Sequence, residues 1–315
     1  MPQHAAAPAA PAAPSSPTPA STGTEASRRL LHPESEAPAL TLWGSSSMSS
    51  EGGDEATAVP VRIHEHLALA AAPAPVHPFG VGATWSRHTL LQRGLDTPTL
   101  LPRGGPEPGT SRLEVTLDSD LAPSGPIRVP GRVDGVQGIL DGSTGTWYFT
   151  PTNPAEAVDG GVFASSLAEI AEGSRQVLWM GKNNIRDVEG VLEHTARMVE
   201  AAAPGDSLVL GHWCTEHDEA GSETGAAVGA VNAELARTHG DRFLDVQHLL
   251  TAEEGLDSTP LAPLQLLEQG ATHEALARAV VPPMLVASDG IHLNGWGNLV
   301  LSWAIVRRMQ ELRWL

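Results

Sequence analysis

Ala39-Leu40-Thr41-Leu42-Trp43 runs directly into Gly44-Ser45-Ser46-Ser47. A short apolar run that stops at Gly and Ser reads as a buried β-strand entering a tight turn. Pro60 then opens a helical segment in which Val59, Ile63 and Leu67 share one face. Together they make a strand, turn and helix, and the same rhythm returns further along. Strands are expected at Gln176-Val177-Leu178-Trp179-Met180, at Ser207-Leu208-Val209-Leu210 and at Arg242-Phe243-Leu244-Asp245, with a second, proline-weakened one from Pro75 to Phe79. Helical periodicity covers about 187–202, 224–236 and 295–312, the last with Leu299, Trp303 and Val306 on one face. Alternation of this kind predicts an α/β fold with a mostly parallel sheet and helices on both faces.

Two regions break the rhythm. Residues 1–37 are an Ala, Pro, Ser and Thr mixture that cannot bury enough surface to offset its ordering entropy, and are expected to be a disordered tail. From 104 to 160, Gly and Pro are frequent and short alternating runs such as Leu113-Glu114-Val115-Thr116-Leu117 and Trp147-Tyr148-Phe149-Thr150 replace helical periodicity. That stretch reads as a β-rich insertion interrupting a domain that spans 38–315.

The bulk numbers narrow the function classes. A formal net charge of -18, from 37 acidic and 19 basic residues, disfavours nucleic acid and anionic membrane surfaces as partners. A neutral or weakly charged small molecule fits better. The single cysteine, Cys214, excludes a disulfide framework within the chain and a CxxC zinc site. No apolar run reaches the 18 or so residues of a membrane helix, and no basic segment precedes a compact apolar core at the start, so the expectation is no membrane insertion and, by default, a cytoplasmic location.

In a doubly wound sheet the loops leaving the carboxyl ends of the strands share one edge, where ligands bind. Three Gly-containing turns leave strands there: Gly44-Ser45-Ser46, Gly80-Val81-Gly82-Ala83-Thr84 and Gly181-Lys182-Asn183-Asn184. They bring a serine hydroxyl, a backbone amide unshielded by a side chain and a carboxamide donor to one place. Each is an ordinary turn residue when taken alone. A serine attacks an ester only when a base takes its proton and donors hold the resulting oxyanion. The base is sought in Asp289-Gly290-Ile291-His292, a turn able to aim carboxylate and imidazole at each other. With 13 histidines in the chain, Asp-x-x-His also arises by chance, and Asp245-Val246-Gln247-His248 is a rival. The first pair is preferred because its loop, rich in Gly and Asn, opens a helix.

Taken in order, these four motifs resemble those of the SGNH/GDSL hydrolase family. The resemblance covers 39–315 apart from the insertion. It matches Gly44-Ser45-Ser46 to the nucleophile block, Gly82 to the glycine block, Gly181-Lys182-Asn183-Asn184 to the Gly-x-Asn-Asp block and Asp289 with His292 to the Asp-x-x-His block. Ser45 and Asn184 stand where the family usually has aspartates, and Ser47 remains a neighbouring alternative to Ser46. The resemblance implies a flavodoxin-like three-layer α/β/α sandwich. It also implies a serine hydrolase working through an acyl-enzyme, with Ser46, Asp289 and His292 as catalytic residues, an oxyanion hole of Ser46, Gly82 and Asn183, and no metal or organic cofactor.

The expected substrate is a short-acyl, acetyl-type ester of a carbohydrate or similar polar alcohol; a lipase or thioesterase of the same fold is the alternative. Two readings of other classes stand beside these. His212, Cys214, Glu216 and His217 crowd one loop, which would suit a metal-dependent hydrolase. His64 and His66, two apart on a helix, point away from each other and make poor joint ligands. Trp147, Tyr148 and Phe149 would suit a non-catalytic carbohydrate-binding protein, although alternation along a strand lets at most two of them share a face.

Overall fold

The computed structural model describes residues 37–50, 57–70, 72–219 and 221–315, so the expected tail up to residue 36 lies outside the described residues. Five strands form one sheet: β1 (Leu40–Gly44), β2 (Val76–Pro78), then β9 (Arg175–Trp179), β10 (Ser207–Leu210) and β11 (Phe243–Leu244). Their order is β2-β1-β9-β10-β11, and every pairing is parallel. The connection reverses direction between β1 and β9, which makes the crevice above that pair the topological switch point. All residues of β1 and β10 are buried, as expected of strands covered on both faces.

The helices are α1 (Ser46–Ser49), α2 (Val59–Leu69), α3 (Ser86–Arg93), α4 (Leu167–Ala171), α5 (Val188–Glu200), α6 (Glu223–His239), α7 (Val246–Thr251), α8 (Glu253–Asp257), α9 (Gly270–Ala277) and α10 (Gly295–Glu311). Alternate strand residues feed two separate cores. Leu40, Leu42, Val177 and Leu208 pack with Ile63 and Leu67 of α2 and with Leu301 and Ile305 of α10. On the opposite face Trp43, Leu178 and Val209 pack with Leu90 of α3, Val191 and Met198 of α5, and Val228 and Val231 of α6. This is the three-layer α/β/α sandwich expected from the sequence, the sheet being fully parallel.

The last helix corrects one expectation. The buried arc of α10 holds Val300, Leu301, Ala304 and Ile305 as well as Val306, while Leu299 and Trp303 sit at its half-buried rim. Trp303 lies under the Arg307 guanidinium, 5.3 Å from its ring centroid. Because α10 is covered both by the sheet and by α2, its buried surface is wider than the single stripe that periodicity picks out.

Between α3 and α4 the chain forms a closed antiparallel barrel of six strands: β3 (Thr99–Pro102), β4 (Leu113–Leu117), β5 (Arg128–Val133), β6 (Val136–Asp141), β7 (Tyr148–Pro151) and β8 (Gly161–Ser165), ordered β3-β4-β7-β6-β5-β8. Its limits are wider than 104–160, because Pro102 and Gly161 hide the outer strands from a propensity reading. Val115, Val129, Val133, Leu140, Phe149 and Phe163 fill the interior. Leu91 of α3 joins that barrel core while its neighbour Leu90 joins the sheet core, so one helix belongs to both. Trp147 and Phe149 are buried and the Trp147 indole N–H donates to the Leu121 carbonyl at 2.9 Å. Tyr148 faces outward beneath the Arg112 guanidinium, 3.5 Å from its ring centroid. The three aromatics therefore make no exposed stacking surface, which removes the support they offered to a carbohydrate-binding protein without catalysis.

Two stability measurements follow. Phe149 is fully buried, so Phe149→Ala is expected to cost about 3–5 kcal/mol, read from the midpoint of chemical denaturation. His212, just beyond β10, is wholly buried, and burial first, with the nearby Lys182 charge second, pushes its pKa from 6.5 down to about 3. The unfolded chain takes up a proton that the folded chain refuses. This contribution to stability is fully present above about pH 6.5 and is lost as pH drops from there towards 3, at up to about 1.4 kcal/mol per pH unit. A His212→Phe variant is expected to show a shallower loss between pH 6.5 and 4.5 in the same titration.

Candidate active site

Gly44 ends β1 opposite Trp179 of β9, and a Cβ at Gly44 would stand 2.3 Å from the Trp179 carbonyl oxygen. Only glycine lets the two strands leave the sheet this close together. The chain turns through Ser45 and starts α1 at Ser46, whose N–H is one of the helix's unpaired first amides. Phe79 N–H and Val81 N–H donate to the Leu42 and Gly44 carbonyls at 2.8 and 3.1 Å, which carries the Gly82 turn alongside the end of β1. Among the described residues no acceptor pairs with the Ser46 or Gly82 amide.

The Gly181 turn is tied to the same place. Asn183 Nδ2 donates to the Thr84 carbonyl at 2.9 Å, leaving its second amide hydrogen uncommitted. Asn184 Oδ1 accepts from the Ser86 amide at 3.0 Å and its Nδ2 donates to Ser86 Oγ at 3.1 Å. Here a carboxamide standing at an expected aspartate position holds the first turn of α3 through both of its ends. Lys182 Nζ donates to the Trp213 carbonyl at 2.9 Å and to Asp218 Oδ2 at 2.8 Å, fastening this turn to the loop after β10. The other departure, Ser45, is buried, and its hydroxyl has no partner among the described residues.

From the other end of the chain, a hairpin-like loop delivers the His292 imidazole. Ala287 N–H donates to the His292 carbonyl at 2.7 Å, Val286 pairs with Leu293, and Gly290 turns the tip with φ +71°. Asn294 then caps α10, accepting from the Trp296 and Gly297 amides, while its Nδ2 donates to the Met284 and Val286 carbonyls. His292 Nδ1 donates to Asp289 Oδ2 at 2.6 Å, and Ser46 Oγ donates to His292 Nε2 at 2.8 Å. Burial pulls the Asp289 carboxyl upward, yet hydrogen bonds from the His292 ring and from the His292 and Ile291 amides hold it below the ordinary carboxylate value. A carboxylate bonded at Nδ1 fixes the tautomer that leaves Nε2 free to accept. Ser46 is 8% exposed, and among the described residues it is the serine that His292 engages, whereas Ser47 makes no such bond.

The rival motif does other work. Asp245 Oδ1 accepts from the His248 amide at 2.9 Å as the cap of α7, and the His248 ring turns away to Glu254, 3.4 Å distant. Nor do the residues of the crowded loop converge: His212 and Cys214 are buried while the Glu216 and His217 side chains are each 61% exposed. Among the described residues no three His, Cys, Asp or Glu side chains form a group that could hold a metal ion. Sequence reasoning missed Thr84 and Asn294, which hold Asn183 and the His292 loop. Thr84 acts through its carbonyl, which leaves no trace in residue type, whereas Asn294 was readable as a helix cap. Among the described residues no helix is long and apolar enough to cross a membrane.

No family model and no curated protein matches the chain. Among solved structures, the fold is similar to a lipase/acylhydrolase from Enterococcus faecalis at 11% identity and a TM-score of 0.47, covering 87% of this chain and 96% of that one. It is similar to TesA at 11% identity and a TM-score of 0.46, covering 87% and 99%. An acetyl xylan esterase from Geobacillus stearothermophilus is similar at 11% identity and a TM-score of 0.41, covering 86% and 94%.

Proposed function

We infer that this chain is a serine esterase of the SGNH/GDSL type, and the observation that carries the reading is the unbroken relay Ser46 Oγ, His292 and Asp289, with contacts of 2.8 and 2.6 Å. His292 Nε2 takes the hydroxyl proton as Ser46 Oγ attacks the acyl carbon. The carbonyl oxygen becomes negative among the Ser46 amide, the Gly82 amide and the free hydrogen of Asn183 Nδ2. His292 then gives its proton to the leaving alcohol, and a water molecule repeats the cycle on the acyl-enzyme. Asp289, kept ionised by its hydrogen bonds, stabilises the imidazolium formed on the way.

The preferred ester is one of a small acyl group, such as acetyl, on a polar alcohol of carbohydrate type. The cavity beside Asn184 is lined largely by charged side chains, which suits a hydrated alcohol and does not suit a long acyl chain.

A fluorophosphonate probe is expected to add to the peptide containing Ser46, as read by mass spectrometry. Ser46→Ala and His292→Ala are each expected to abolish hydrolysis of p-nitrophenyl acetate. Labelling of Ser47 instead, or full activity in either variant, refutes the assignment. Removing the carboxamide in Asn183→Ala is expected to lower kcat by about 10²–10³-fold, the usual effect of losing one oxyanion donor; a change confined to KM would take Asn183 out of that role.

A further inference from the structure

A cavity of about 470 Å³ opens between the start of α3, the barrel segment 120–122 and the first turns of α5. Trp85 and Asn184 line it, and each is one residue from a group already placed at the site: Thr84, whose carbonyl holds Asn183, and Asn183 itself. Trp85 is 49% exposed, unusual for so large an apolar ring. Its ring neighbour is His88, which meets it edge-to-face with centroids 6.2 Å apart.

The charges of the lining are unequal. Asp96, Asp120, Asp187 and Glu193 stand against Arg87 and Arg197. Both guanidiniums are occupied: Arg87 by Asp96 at 2.8 Å and by Asp120, Arg197 by the Leu95 carbonyl at 2.6 Å. His194 also lines the cavity, bonded through Nδ1 to Ser86 Oγ at 2.8 Å, and burial, the largest influence on it, lowers its pKa and favours the neutral ring. What remains is a surface rich in acceptors with an excess of negative charge and one flat indole. Such a surface repels phosphates and accepts hydrogen bonds from hydroxyl and ammonium groups.

We propose that this cavity receives the alcohol portion of the ester, that the alcohol is an uncharged or amino-bearing pyranoside, and that Trp85 is the platform on which the sugar ring rests. The proposal rests on the esterase reading, adds a specificity-determining residue to it and narrows its carbohydrate-type alcohol to a pyranoside. It also gives the barrel a task, since its 120–122 segment supplies one wall of the cavity. Phosphorylated thioester carriers are poor ligands for the same cavity, which separates this chain's substrate from that of a thioesterase.

Steady-state kinetics on the full chain with p-nitrophenyl acetate, glucose pentaacetate and acetyl-coenzyme A test it. The ratio of kcat/KM for the acetylated sugar to that for the aryl acetate is expected to fall roughly three- to tenfold in Trp85→Ala, through KM, and to recover in Trp85→Phe, which restores a flat ring. Wild-type protein is expected to prefer glucose pentaacetate to acetyl-coenzyme A. An unchanged ratio in Trp85→Ala, no recovery in Trp85→Phe, or a preference for acetyl-coenzyme A overturns the subsite while leaving the esterase intact. Failure of the wild type to hydrolyse even p-nitrophenyl acetate overturns the esterase reading, and the subsite falls with it.

Discussion

Parallel pairing of β1 with β9, ending where Gly44 lies against the Trp179 carbonyl, sets the geometry of everything above it. Two strands that leave the sheet side by side put Ser46 and the Gly181 turn at one crevice, and the extension of β2 adds the Gly82 turn along the other flank of β1. The three turns are thus placed by the sheet itself. The His292 imidazole comes instead from a loop braced by Asn294, so Ser46 and His292 meet although 246 residues separate them. A carboxylate with three hydrogen bonds on its two oxygens then holds the imidazole in one tautomer.

Legibility followed burial. β1, β9 and β10 are apolar runs with abrupt polar ends, and a strand covered on both faces announces itself in that way. The candidate site was legible for a related reason: chemistry at a sheet edge needs particular residue types in particular turns, so Ser46, Asn183, Asp289 and His292 stand out in sequence. What stayed hidden depends on partners distant in the chain. The outer barrel strands end on Pro102 and begin on Gly161, the buried arc of α10 is set by two neighbours at once, and Trp147 turns inward with its N–H on the Leu121 carbonyl. The two Asp-x-x-His motifs, between which the sequence already favours the later one, differ in tertiary context. Asp245 and Asp289 each accept the amide of the histidine three residues on, and the ring that swings back to its own carboxylate is that of His292.

The barrel is attached more firmly than its position as an insertion suggests. Beyond the shared helix α3, its 118–125 loop reaches back to the sheet edge. The His88 ring bonds the Ala122 carbonyl at 2.9 Å, and Ser124 Oγ donates to the Ala83 carbonyl at 2.6 Å. Gly125, at φ +63°, presses so near the Gly82 carbonyl that a Cβ there would stand 1.9 Å from it. Ala83 itself holds the left-handed conformation at φ +57°, uncommon for a residue with a side chain.

That pressure ties two properties usually treated as independent. A loop that walls the neighbouring cavity also leans on the turn that carries the Gly82 amide, so the shape of that cavity and the position of that amide share one mechanical support.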